Sequence, residues 1–562
     1  MTAVEDVEIP RSRTAAAFEI PAFRRIWTAS LFSNLGLLIQ SVGSAWAMTQ
    51  MNAPASLVAM VQSSLMLPIM IFAMPAGAIA DMYDRRIVAM IAGTVGMMGA
   101  VAMTVSSATG VLSPYLLLTC CFVIGSGMAL MGPVWQASVS EQVPAAYLPS
   151  AIGLNSIAFN VARSFGPALG GVIVAAAGSV AAFGINVAFY LPALIVLYLW
   201  KRTPPPMRLP PERMMRAMAS GARYIVHSPS TRTVILRTLA TSMAGGSVSA
   251  LMPLISRDLL GGGAPTFGIL LGAAGVGAVV GAMVMGRLRT RFRDEAILRV
   301  CAVLGGAGVV VVGLSQSMPL TMAMLFIQGG TWTIGFSVYN IELQISAPRW
   351  VAGRALAAFQ AAAAGGAGLG AMLWGLVARG QGVAMCLVIS GVIMGSCALL
   401  GLWRRMPEDT NPSDSEEAEL LAEPEVRLGI TPRSGPIVVE LEYRIAPDQA
   451  RAFYQLMQQI QSVRQRNGAY DWSIARDIAD AERWTERFSC PTWLDYLRQR
   501  TRSTQADRQV LDATRAMHLG PEPVLIRRML ERPVGSVRWR EDTPDPGLAA
   551  PLPVTPFPGG GT

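Results

Sequence analysis

The chain has 562 residues, 52% hydrophobic and only 14% charged, with 55 glycines; a soluble chain of this length has about a quarter of its residues charged, so a wholly soluble protein is excluded. The formal charge is +9, but the arginines stand mostly in short loops beside apolar runs, where they set topology, which argues against nucleic acid as a partner. The cysteines, Cys120, Cys121, Cys301, Cys386, Cys397 and Cys490, show no metal-ligand spacing, so no metal site and no cofactor are expected.

Residues 1–25 begin MTAVEDVEIPRSR, with acids and no short apolar run before a cleavage site; this reads as a cytoplasmic segment rather than a signal peptide. Apolar runs long enough to cross a bilayer, ~20 residues each, follow at 26–49, 55–79, 87–108, 112–134, 148–176 and 180–200, then at 233–256, 266–286, 296–315, 319–342, 355–377 and 382–403. They predict an all-α polytopic protein of twelve transmembrane helices in two six-helix bundles, 26–200 and 233–405. One set of loops holds Arg24 and Arg25, Arg85 and Arg86, Lys201 through Arg232, Arg287 through Arg293, Arg349 with Arg354, and Arg404 with Arg405; the opposite set holds only Arg257 and Arg379. Basic residues thus alternate sides, and both termini are expected on the cytoplasmic face of a bacterial inner membrane.

The inter-bundle segment 201–232 opens on a proline cluster and continues as ERMMRAMASGARYIVHSP, an amphipathic helix suited to the membrane interface. Residues 406–433 form an acidic linker. In 434–532 the pattern changes to strand, helix, strand, strand, helix, strand, the order of an α+β ferredoxin-like domain; the Pro- and Gly-rich 533–562 reads as a disordered tail. An internal repeat supports two related halves: 135–171 laid over 339–375 matches Gln136 to Asn340, Pro144 to Pro348, Gly166 to Gly370 and Gly171 to Gly375 at one constant shift,.

Three constellations carry chemistry. Between spans 2 and 3, Gly77, Asp81, Asp84, Arg85 and Arg86 form a charged latch at the cytoplasmic face, with Gly77 permitting close helix approach; the plain alternative is a topogenic loop with a capping Asp. In span 5, Gly166, Pro167, Gly170 and Gly171 permit close helix contact and a bend. Arg163 lies ~20 Å into that span, near mid-membrane, where an arginine must face a partner or water. Ser156, Asn160, Arg163 and Pro167 share one face, and span 1 carries Ser33, Gly36, Gln40, Gly43 and Ser44 with Trp46 nearby. These stripes are expected to line a central cavity, Arg163 attracting an anionic or acceptor-rich solute; the alternative is a structural Arg163 paired with Asp81, Glu141 or a helix C-terminus. Spans 1, 4 and 7 contain no Asp, Glu or His, the usual carriers of a coupled proton, so these residues do not themselves point to proton coupling,; no GxxxxGK[ST] occurs, so ATP hydrolysis is not expected.

The loop 77–86 resembles the major facilitator superfamily signature G-x-L-x-D-x-x-G-R-[RK], with Ile79 for the leucine and Asp84 for the second glycine. Residues 166–171 resemble the GPxxGG antiporter signature of exporters in that superfamily. With YNIELQISAPRWVAGRALA after span 10, the membrane part is similar to the bacterial transmembrane secretion effector group that includes the enterobactin exporter. Residues 442–530 resemble the antibiotic-biosynthesis monooxygenase-type domain, usually a dimer formed through its sheet. The resemblance implies a major facilitator fold and proton-coupled export of a small molecule, a siderophore-like metabolite or a drug, by alternating access, with Asp81 holding the halves together in the outward-facing state. It also implies self-association through the C-terminal domain. A membrane-tethered enzyme is the alternative, weakened because Tyr454, Trp472, Trp493 and His518 form no catalytic constellation.

Overall fold

The computed structural model describes residues 16–144, 147–200, 214–403, 405–406 and 426–531; within its helices, the side chains of Asp81, Ser156, Asn160 and Arg163 lie outside the described set. The predicted segments 1–15, the proline cluster of 201–213, most of the acidic linker and the tail from 532 also lie outside it.

The apolar runs, with the amphipathic linker helix as α6, form α1 (Pro21–Gln50), α2 (Ala55–Met82), α3 (Arg85–Ala108), α4 (Pro114–Gln142), α5 (Leu148–Leu199), α6 (Met214–His227), α7 (Pro229–Leu254), α8 (Ala264–Arg291), α9 (Asp294–Leu314), α10 (Met318–Ser346), α11 (Arg349–Gln381), α12 (Val383–Ser396) and α13 (Leu400–Trp403). Local chemistry sets their ends. Asp84 caps α3 by accepting from the amides of Arg86 and Ile87, and Ser113 caps α4 ahead of a proline in its first turn,. α5 runs through two predicted spans, but Gly178 within it has φ +76, a left-handed conformation natural to glycine that separates two consecutive helices. Nine helices among the described residues are long and apolar enough to cross a membrane. The long helices α1 and α10 are not among the nine; polar residues such as Asn34, Gln40, Gln328 and Glu342 interrupt their apolar runs.

The two matched prolines start matching turns. The amide of Tyr147 donates to the Pro144 carbonyl at 2.9 Å, and the amide of Val351 to the Pro348 carbonyl at 3.0 Å.

The chain divides into two compact units. The first holds the helices up to Met218, then 233–344 and 353–408; the second holds 219–232, 345–352 and 409–562. In the first, one apolar core runs through both halves, from Ile39, Val58 and Leu117 to Leu251, Leu325 and Leu387. Without water to drive helices together in lipid, close packing of small residues holds such bundles. A Cβ on Gly125 would strike the Leu65 carbonyl, and one on Gly281 the Gly330 carbonyl, so α2–α4 and α8–α10 meet backbone to backbone.

The second unit contains β1 (Ile437–Arg444), α14 (Ala450–Arg466), β2 (Tyr470–Arg476), β3 (Arg483–Cys490), α15 (Trp493–Thr501), α16 (Gln505–Ala516) and β4 (Leu525–Leu530). Its sheet has the order β2-β3-β1-β4, with every pair antiparallel. Strand alternation turns Ile437, Val439, Leu441 and Tyr443 of β1, with Trp484, Phe488 and Cys490 of β3, into one core with Phe453, Met457 and Ile460 of α14,. The single long helix expected after β3 is two helices. Thr504 and Asp507 form a reciprocal capping box that starts α16 afresh,.

Candidate functional site

Arg85 and Arg86, at the loop between α2 and α3, bind partners in their own half. Arg85 donates to the Glu141 carboxylate at 2.8 Å, where the Glu141 side chain is 3% exposed, and to the Ala80 carbonyl at 3.3 Å. Arg86 donates to the carbonyls of Leu197, at 3.0 Å, and Tyr198, and its guanidinium stands 5.7 Å from the centre of the Tyr198 ring. Helix C-terminal carbonyls carry partial negative charge, so an arginine there caps the end of α5. The Asp84 carboxylate caps α3. Among the described residues, an added Cβ on Gly77 would meet only the Ala357 Cβ, at 4.0 Å. The backbone of Asp81 lies in the last turn of α2.

The second half carries a counterpart with inverted charge that the sequence reading missed. Glu295, like Arg86, is the second residue of its helix. It accepts from Arg237 at 2.5 Å, from Arg299 at 3.0 Å and from the backbone N–H of Met406 at 3.2 Å. Thus Arg86 satisfies the carbonyls at the end of the first half, and Glu295 an amide just beyond the end of the second. Arg237 and Glu295 are 3% and 7% exposed, so both charges rely on these partners. Gly401 makes room for the carboxylate, which a Cβ there would overlap. Arg289 and Asp294 add a bidentate pair at 2.8 and 3.0 Å in the same turn. The available signal was Arg237 itself, four residues inside the seventh apolar run, where the rule applied to Arg163 holds equally.

Residues 166–171 form a seam on two sides of α5. A Cβ on Gly166 would lie 2.8 Å from the Leu38 Cβ, and one on Gly170 3.0 Å from the Val42 Cβ, both in α1. One on Gly171 would overlap the Gly268 Cα in α8, so here the two halves touch glycine to glycine. Trp46 stacks on Phe267 with ring centres 5.9 Å apart, Arg257 donates to the Thr49 carbonyl at 3.5 Å, and Ser63 to the Gly368 carbonyl at 2.7 Å. Three of these four contacts between halves, those of Gly171, Trp46 and Arg257, lie toward the helix ends joined by the arginine-poor loops.

The polar stripe of α1 lies elsewhere than expected. Gln40 is 2% exposed; it accepts from the Asn186 amide and its own amide contacts the Met103 sulfur at 3.8 Å. A Cβ on Gly36 would strike Asn186, and one on Gly43 would strike Ala182. Gly36, Gln40 and Gly43 therefore form a packing face against the second part of α5, and in this state Gln40 does not line an open cavity. The reason is geometric: small residues at i and i+7 make a helix-contact groove, and the glutamine between them finds an amide partner there. Asn186, fully buried, is the partner that the sequence reading missed. Ser33 is half-buried and Trp46 buried. Ser156, Asn160 and Arg163 occupy one face of α5 by backbone register,.

Between α7, α9, α10 and α12 lies a cavity of about 40 Å³, lined among others by Thr238, Thr241, Thr331, Trp332, Tyr339 and Met394. The buried Thr238 hydroxyl has no hydrogen-bond partner among the described residues. The volume suits a few water molecules rather than a solute. Among the described residues no cluster of His, Cys, Asp or Glu has the arrangement of a metal site.

Long apolar helices, packed through glycine seams and capped by charged turns, define a polytopic membrane protein,. The transmembrane secretion effector family model matches residues 12–534; the chain belongs to this family of the major facilitator superfamily. The multidrug efflux pump Tap of Mycolicibacterium fortuitum is 24% identical over 369 residues, 63% of this chain and 88% of that one. The enterobactin exporter EntS of Citrobacter koseri is 27% identical over 383 residues, 67% of this chain and 88% of that one. A bacterial homolog of the human lysosomal transporter Spinster, solved inward-facing and occupied, superposes with a TM-score of 0.54 at 14% identity, covering 70% of this chain and 97% of that one; this likeness concerns the fold alone. The relatives are transporters, not enzymes, and the tethered-enzyme alternative finds no support among them.

Proposed function

We propose that the chain exports a small molecule, a siderophore-like metabolite or a drug, across the bacterial inner membrane by proton-coupled alternating access. In this reading twelve spans form two halves and both termini are cytoplasmic. The observation that carries it is the seam of α5. Gly166 and Gly170 seat α5 on α1, while Gly171 seats it on α8 of the other half, which gives a contact line about which two halves can rock. The relatives Tap, a multidrug efflux pump, and EntS, an enterobactin exporter, support export as the direction. Alternation of arginines between loops supports the orientation.

Within this reading Gly77, Asp81, Asp84, Arg85 and Arg86 form the cytoplasmic latch. Arg163, Asn160, Ser156, Ser33 and Trp46 border the solute path, and Arg163 favours an anionic or acceptor-rich solute. The sheet order β2-β3-β1-β4 supports a ferredoxin-like reading of the C-terminal domain, and self-association through that domain belongs to the same proposal.

The test is efflux from a strain lacking its major exporters, with a panel of catecholate and cationic solutes, with and without a protonophore. Protonophore-sensitive efflux that depends on the chain is expected. Net uptake would overturn the direction, and efflux indifferent to the protonophore would overturn the coupling.

A further inference from the structure

Three segments far apart in sequence, 219–232, 345–352 and the C-terminal region, belong to one compact unit, and an aromatic pair joins the first two. Tyr224 of α6 is 2% exposed. It meets Trp350 of the first turn of α11 edge to face, with ring centres 5.5 Å apart. Its hydroxyl donates to the Ser346 carbonyl at 3.3 Å. The linker between the halves is therefore fastened to the turn between α10 and α11.

Two arginines of the C-terminal domain cover this pair. The Arg502 guanidinium stands 4.3 Å from the centre of the Trp350 ring, and that of Arg466 stands 5.7 Å from the Tyr224 ring. Arg466 is held in place by Asp507, which is 3% exposed and fixed in turn by the capping box with Thr504. A planar guanidinium on an aromatic face is favourable, and more so where water is excluded. The charged component comes from the domain and the aromatic component from the linker and the turn, so the surface is complementary and specific.

The turn leads directly into α11. Along that helix Gly365, Gly368 and Gly375 leave room for Met70, Leu67 and Ala59 of α2, so α11 borders the other half. Whatever holds its first turn to the linker restrains a helix at the boundary of the halves.

We propose that the C-terminal domain is a docked brake: Arg466 and Arg502 clasp the Tyr224–Trp350 pair, lock the linker helix to the α10–α11 turn, and slow the exchange between transport states. The partner of this surface is the chain's own linker and turn. The braking role rests on the transporter reading above, whereas the docking does not.

The test uses the full chain in nanodiscs. Hydrogen exchange of 219–232 and 345–352 is compared in the wild type, Arg502→Ala, Arg502→Lys and the double variant Arg466→Ala/Arg502→Ala, with β3 as the folding control. Exchange in both segments should rise about tenfold in the double variant and less in Arg502→Lys, β3 staying protected. Wild-type exchange in the double variant would overturn the docking. In liposomes the double variant should transport at least twice as fast as wild type; an unchanged or slower rate alongside faster exchange would overturn the brake. Absence of transport by the wild type would count against the export reading, while the exchange data still decide the docking.

Discussion

At the residue scale, the decisive glycines are those whose missing Cβ lets two backbones meet. Gly171 faces the Gly268 Cα across the halves, whereas a Cβ on Gly77 would meet, among the described residues, only the Ala357 Cβ at 4.0 Å. Gly171→Val should therefore reduce transport more than tenfold with normal membrane insertion, while Gly77→Ala, which adds a methyl group to the latch where there is room for it, should reduce it less. Efflux rates normalised to the inserted protein check both. The buried pair of Arg237 and Glu295 gives a second expectation. Removing one partner strands the other charge away from water, at a cost of about 3–5 kcal/mol. Glu295→Ala should thus lower the unfolding midpoint sharply, and the double variant Glu295→Gln/Arg237→Met should regain much of it, as measured by thermal unfolding in detergent. Single residues were only partly legible in the sequence. Asp84 as a cap followed from its place before a helix, but the partner of Gln40 did not, because Asn186 lies 146 residues away along the chain.

At the element scale, period and composition placed helices and strands well and their faces poorly. The strand IVVELEYR announces its buried face by alternation, whereas the stripe of α1 reads equally well as a cavity wall or a packing groove until its neighbour is known. The break between α15 and α16 was legible in Thr504 and Asp507 at capping-box spacing, though one helix was expected. In the C-terminal domain, Glu486 is fully buried and accepts from Tyr443 at 3.1 Å, Arg464 at 2.9 Å and Trp472 at 3.1 Å. Burial first, and Glu486 second, push the Tyr443 phenol well above its ordinary range. Burial likewise pushes the Cys490 thiol up to about 12. A raised folded-state pKa favours the protonated form. Its contribution is therefore complete below the ordinary thiol value of 9.0 and is lost as pH rises from there toward about 12. The domain should keep constant stability from this group through pH 8 and weaken above pH 9, less so in Cys490→Ala. Alkaline unfolding of the full chain, followed by fluorescence, checks the difference.

At the scale of the whole molecule, charge distribution and apolar run length separated a membrane part from a C-terminal domain. They could not show that 219–232 and 345–352 cluster with that domain, because the joining contacts, an arginine over a tryptophan and a tyrosine beside it, leave no periodic trace. The central claim is export driven by a proton gradient through two rocking halves. It is tested most directly with the purified chain in liposomes, inside-out in orientation, loaded at acidic pH and diluted into alkaline buffer containing a solute found in the efflux panel. The account predicts that the solute accumulates inside, that a protonophore abolishes the accumulation, and that Gly171→Val shows almost none. Equal accumulation with and without the pH gradient, or by the Gly171→Val chain, would contradict it.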